Sequence, residues 1–179
     1  ETRRMNALLK SVVQQWKIIA ATAVILVLAT AVFHVLHQKE LPLLPPSILR
    51  LTLTHEIHGE AARQQMNALH GRNVTPEENE IGIYGSPDGS GTLYISLYGS
   101  AKEAAVAYDS MKTAIAKDHS TFTHFRTIET GGQQYEMCMG NGSAHYFFVH
   151  NDTLYWWSVD IPVAQASFRD LFKRVQTRL

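Results

Sequence analysis

Residues 18–36, IIAATAVILVLATAVFHVL, run for 19 positions without an Asp, Glu, Lys or Arg. No other stretch limits the possible folds as strongly. A helix rises about 1.5 Å per residue, so this run reaches roughly 28 Å, close to the ~30 Å hydrocarbon core of a bilayer. The sequence therefore predicts one membrane-spanning helix over 18–37. A short basic lead (1–17) precedes it, and a Pro-rich linker (38–46) and a single domain (47–179) follow. A cleaved signal peptide is the rival reading, since Ala29-Thr30-Ala31 suits a small-residue cleavage site. The apolar character continues past that site through Val32, Phe33, Val35 and Leu36, which favours a retained anchor.

Charge sets the expected orientation. Arg3, Arg4, Lys10 and Lys17 precede the run against Glu1, while Lys39 beside Glu40 follows it. The positive-inside rule then puts the N-terminus in the cytoplasm and the domain outside, with a bacterial plasma membrane and a periplasmic domain as the expected setting. From Glu40 onward there are 11 Lys+Arg and 15 Asp+Glu, a net charge of −4. An acidic outer domain without a basic cluster argues against a nucleic-acid partner. Cys138 is the single cysteine, so no internal disulfide and no Cys-x-x-Cys-His haem attachment is possible. Its strand-like surroundings, Tyr135 to Met139, suggest a buried thiol.

Ala20, Ala23, Val27, Thr30, His34 and His37 recur at steps of three and four and form the small, polar face of the span. Such a face packs against other transmembrane subunits, while Ile25, Leu28, Val32, Phe33 and Val35 suit the lipid bilayer. An ionisable residue within a span is a site candidate. His34 or His37 could ligate a non-covalent haem with a histidine from another helix. Their place at the outer end also suits interfacial hydrogen bonding. His55-Glu56-Ile57-His58 lacks the His-Glu-x-x-His spacing of a metalloprotease, and no phosphate loop, nucleophile elbow or paired-carboxylate motif is present. Glu129, Glu136, Asp152 and Asp160 read as strand-end and turn acids. No resident cofactor or metal is implied.

The linker QKELPLLPP cannot continue a helix and favours an extended spacer. Ser47–Thr54 alternates as a half-buried strand, with Leu49, Leu51 and Leu53 on one face. A helix is predicted over Gly59–His70 with Ala62, Met66 and Leu69 buried. Strands follow at Glu80–Tyr84 and Thr92–Tyr98 around a Gly-rich hairpin turn. Ser100-Ala-Lys-Glu103 is a capping box that opens a helix to Lys117, with Ala101, Ala104, Tyr108, Met111 and Ile115 as its stripe.

Four strands are then predicted, Phe122–Thr130, Gln133–Met139, Ala144–His150 and Thr153–Val159, joined by short turns that enforce antiparallel neighbours. The last two are apolar on both faces, so both faces of this part of the sheet are covered. Tyr146 and Phe148 with Trp156 are expected as one set, and Phe147 and Val149 with Tyr155 and Trp157 as the other. A helix from Val163 to Arg178 closes the chain, with Pro162 before it.

The fold class that results is α+β: an antiparallel sheet of about six or seven strands packed with helices in an αβα-sandwich-like arrangement. The element order resembles the sandwich of PsbP-like domains, which are small non-enzymatic binding or accessory modules. That resemblance is one of element order and carries no site residue. The expectation is an accessory or stabilising subunit of a larger membrane complex, such as a respiratory or other electron-transfer complex, without catalysis of its own. An anchored ligand-binding or sensing module is the alternative, with Tyr146, Phe148, Trp156 and Trp157 as the partner or ligand surface. A haem-bearing electron-transfer subunit using His34 or His37 is the third reading.

Overall fold

The computed structural model describes residues 44–70, 75–76, 78–117, 121–130 and 132–177. The chain divides into two units, Glu1–Glu40 and Leu41–Leu179, and the second holds all the described residues. The expected span, with His34, His37 and the seam residues Ala20, Ala23, Val27 and Thr30, lies outside them. Among the described residues no helix is long and apolar enough to cross a membrane.

Four strands, β1 (Ser47–Ile48), β2 (Leu51–His58), β3 (Glu78–Ser86) and β4 (Gly89–Leu97), form a first meander, with helix α1 (Gly59–His70) between β2 and β3. Helix α2 (Ala101–Ala116) follows β4. Strands β5 (Thr123–Thr130), β6 (Gln133–Gly140), β7 (Ser143–His150) and β8 (Thr153–Asp160) form the second meander. A 3₁₀ turn (Ile161–Val163) leads into helix α3 (Ala164–Gln176). The eight strands make one antiparallel sheet in the order β1-β2-β3-β4-β8-β7-β6-β5. Helix α2 therefore carries the chain to the far edge, and the second meander steps back until β8 meets β4.

Local chemistry accounts for these elements. Asn141 and Gly142 both have left-handed φ, 51° and 80°, as a two-residue hairpin that matches strand twist requires. At α2, the Ser100 hydroxyl accepts the Glu103 backbone N–H at 3.3 Å, the N-terminal half of the predicted capping box.

The sheet is covered on both faces. Ala62 and Met66 of α1 pack on Ile81 and Tyr94, and Ile115, Tyr108 and Met111 of α2 pack with Cys138, Phe147 and Trp156. Tyr94 lies directly opposite Trp156 across β4 and β8, so α1 and α2 share one face. Helix α3 covers the other, where Phe168 and Leu171 join Tyr84, Leu93, Ile95, Tyr146, Phe148, Tyr155 and Trp157 in the largest core cluster.

Three expectations are corrected. The strand predicted over Ser47–Thr54 is a hairpin, which makes the sheet eight-stranded and not six- or seven-stranded: Ile48 pairs with Leu51 and the turn falls at Leu49-Arg50. Leu49 takes a φ of 55° and stands 44% exposed, its N–H donating to Asp170 at 2.6 Å. A turn with neither Gly nor Asn left the hydrophobic alternation unbroken in the sequence. On α1 the buried residues are Ala62, Met66 and Asn67, while Leu69 is 65% exposed. The aromatic sets also exchange members: Tyr146 faces Trp157, Phe147 faces Trp156 and Phe148 faces Tyr155. The two-residue turn after His150 makes even positions on β7 share a face with odd positions on β8.

Candidate functional site

The last residues of the linker are built into the domain. Leu44 is buried against the face that α3 covers. The Tyr84 hydroxyl donates to the Pro45 carbonyl at 2.9 Å, and the Leu53 N–H donates to the Pro46 carbonyl at 3.0 Å. Gly82 leaves the space: a Cβ there would stand 2.9 Å from the Leu44 side chain and 2.8 Å from the Tyr84 ring. Tyr84 meets Trp157 edge-on at 5.6 Å, which connects the linker's end to the largest buried side chain.

A buried carboxyl lies beside this mount. Glu80 is 2% exposed and faces His58, whose Nδ1 is 3.5 Å from Glu80 Oε1 and whose Nε2 is 3.0 Å from Glu56 Oε2. Glu80 Oε2 has no hydrogen-bond partner among the described residues. Burial pushes the Glu80 carboxyl above the usual carboxylate range; the neighbouring His58 pulls it back, as does the Leu44 backbone N–H.

A second polar group lies beneath α2. Glu136 is fully buried, and it accepts the Tyr108 hydroxyl at 2.8 Å and the Thr127 hydroxyl at 2.7 Å, with Lys112 Nζ at 2.8 Å. Far from being a strand-end acid, it sits in mid-strand and ties α2 to β5 and β6. Burial first, and then the carboxylate it donates to, push the Tyr108 phenol up. This network leaves Glu136 with its charge neutralised and its oxygens occupied, which describes a structural tie.

Cys138, His145 and Ser158 occupy directly opposed positions across β6, β7 and β8. The row brings together residue types used in nucleophilic catalysis, so its electrostatics matter. Burial, with Glu136 second, pushes the Cys138 thiol up to about 12, so it remains a thiol. The Trp156 indole N–H donates to His145 Nδ1 at 3.3 Å. Indole nitrogen only donates, so His145 carries its proton on Nε2, which donates to the Gly140 carbonyl at 3.0 Å. The imidazole lone pair is thereby used, and His145 serves neither neighbour as a base.

Burial also lowers the His145 pKa from its ordinary 6.5, with the Gly140 contact opposing. The folded state then binds fewer protons than the unfolded chain, so stability is intact above pH 6.5 and falls as pH drops toward the folded value. The slope is bounded at about 1.4 kcal/mol per pH unit. Glu80 contributes with the opposite sign, so the comparison is with His145→Gln. The wild type is expected to lose urea midpoint more steeply than the variant between about pH 6.5 and pH 5.5. Equal slopes would remove His145 as the acid-sensitive group.

The aromatic candidates are placed mostly inside. Phe148 and Trp157 are fully buried, and Tyr146 is buried under Phe168, to which it stacks at 4.2 Å. Trp156 is half-buried, stacked on Phe147 at 5.0 Å with Phe122 edge-on at 5.7 Å. These four supply core, and Trp156 is the most exposed of them. Two shallow depressions mark the surface. One of about 460 Å³ is bordered by Asp109, Lys112, Lys117 and Phe125, and one of about 450 Å³ by Leu49, Arg50, Asp88 and Pro162. Among the described residues no three His, Cys, Asp or Glu side chains are grouped to hold a metal.

No family model, curated protein or solved structure matches the chain.

The mount residues Glu80, Gly82 and Tyr84 carry no motif, and sequence reasoning missed them. Glu136 did leave a signal. It is a lone acid in the alternating run Tyr135-Glu136-Met137-Cys138, which belongs to a sheet covered on both faces.

Proposed function

We propose that this protein is a membrane-anchored, non-catalytic accessory subunit that stabilises a larger membrane complex. The span over 18–37 is its anchor and the seam Ala20, Ala23, Val27, Thr30 and His34 its contact with other transmembrane subunits. The observation that supports the reading best is the mount at Leu44–Pro46, held by Tyr84, Leu53 and the space at Gly82. A tethered sensor gains from a loose linker, which widens the volume it searches. A subunit that must present one surface to fixed neighbours gains from a linker whose last residues already pack on its core, because fewer of them remain to be ordered on assembly. The inert row at Cys138, His145 and Ser158 and the burial of Phe148 and Trp157 agree with a role in packing, not in chemistry or ligand capture.

The test is extraction of the native protein from its own membrane in mild detergent, with the particle mass recorded and its components identified by mass spectrometry. A large particle with partners in fixed stoichiometry is expected. A lone chain of 20.1 kDa in its micelle would overturn the accessory reading.

A further inference from the structure

His58 stands between two carboxylates, one nitrogen turned to each: Nε2 to Glu56 at 3.0 Å and Nδ1 to Glu80 at 3.5 Å. A neutral imidazole has one N–H and one lone pair, so it can donate to only one of them; both contacts are favourable only in the imidazolium. Of the two carboxylates, Glu56 is at the surface and can turn to water. Glu80 cannot: it is buried, one oxygen lacks a partner among the described residues, and β4 places Ile95 opposite it. The Leu44 backbone N–H also acts on Glu80. The groups facing Glu80 are therefore Glu56 and His58 from β2, Ile95 from β4 and the amide of the linker's end.

We propose that Glu80 and His58 form a proton-dependent latch for the strap Leu44–Pro46. With a proton on His58, or on Glu80 itself, the buried carboxyl is compensated and the strap lies firmly on the sheet. With both protons gone, the carboxylate beneath Leu44 has neutral donors but no counter-charge, and the relief is to admit water by lifting the strap. The sign agrees with linkage. A carboxyl raised in the folded state contributes stability that is greatest at low pH and is lost as pH rises through its folded value. The strap is a suitable moving part because two hydrogen bonds, from Tyr84 and Leu53, and the Leu44 side chain hold it, whereas the strands beneath are paired along their length. The latch rests on the residues around Glu80 and is tested by exchange, whereas the particle mass in detergent tests the membrane reading, so the two can fail separately.

Hydrogen exchange of the full chain in detergent tests it, read by mass spectrometry on peptides covering the strap and β2. Rates are divided by those of an unstructured peptide of the same sequence at each pH. Pro45 and Pro46 carry no N–H, so the amides read are those of Leu44 and of Leu53, which donates to the Pro46 carbonyl; their protection is expected to fall several-fold as pH rises from about 5.5 to about 8. Glu80→Gln should stay protected and flat across that range. His58→Gln alters a half-exposed side chain and removes the group that can carry the compensating proton, so it should flatten the wild-type slope. Protection in β6 is the internal control, because the His145 effect makes the whole domain looser toward acid. A flat wild-type profile would overturn the latch, as would a wild-type slope retained in either variant.

Discussion

Trp157→Ala is expected to cost the domain about 3–5 kcal/mol, measured as a fall in urea midpoint at unchanged m-value. Trp157 is the largest fully buried side chain, and it joins three parts of the core. Its ring meets Tyr84 edge-on, and Tyr84 in turn holds Pro45. Its indole N–H donates to the Ser167 hydroxyl at 3.1 Å, and that hydroxyl donates to the Ala164 carbonyl at 3.1 Å, in the first turn of α3. Alanine would open a cavity between the sheet and α3 and leave Ser167 Oγ without its donor. Domains of this kind have roughly 5–15 kcal/mol of stability in total, so the variant should be near the threshold of folding. A loss below about 1 kcal/mol would mean that the site collapses around the missing ring and that the core on this face is looser than its packing indicates.

The second meander shows what a sequence of this kind reveals directly. Each of its strands was placed within one residue at either end, because its turns are two residues long and carry Gly or Asn where a left-handed φ is needed, as at Asn141-Gly142. The double apolar character of β7 and β8 implies cover on both faces, and helices supply it: α3 on one and α2 on the other. What was hidden has physical causes. The turn at Leu49-Arg50 is made by a residue that disfavours its own φ and is held there by Asp170, 121 positions away. Long-range partners of that sort leave no local signal. The same is true of Glu80, whose significance comes from His58 and from Leu44 lying over it. The assignment of Trp156 and Trp157 to faces depended on register, and a one-residue slip in the count of a hairpin exchanges every side chain between faces. The candidate surface at Tyr146, Phe148, Trp156 and Trp157 rests on aromatic content, which does not separate a partner face from a core filled by α3 and, at Trp156, by α2.

Gly91→Ala is expected to destabilise by about 1–3 kcal/mol, although alanine is ordinarily the better strand residue. A Cβ at position 91 would lie 2.4 Å from Trp157 Cη2 and 2.7 Å from Cζ2, with the Ser158 carbonyl at 3.0 Å. Where a side chain can swing away, such contacts are relieved cheaply. Trp157 cannot, because it is fully buried between Tyr84 and Ser167. The clash must therefore move β4 against β8 or push the ring into α3. If this is the cause, the cost belongs to the pair and not to position 91. In a Trp157→Phe background, which lacks both of the offending ring atoms, Gly91→Ala should become neutral or stabilise by up to about 1 kcal/mol through the reduced freedom of the unfolded chain. The resulting coupling of about 1–3 kcal/mol is well outside the few tenths by which distant substitutions depart from additivity. Additive costs across the cycle would show instead that Gly91 is required by its backbone. The tight seat of Trp157 would then not be what fixes β8 to β4, the one strand pairing that joins the two meanders.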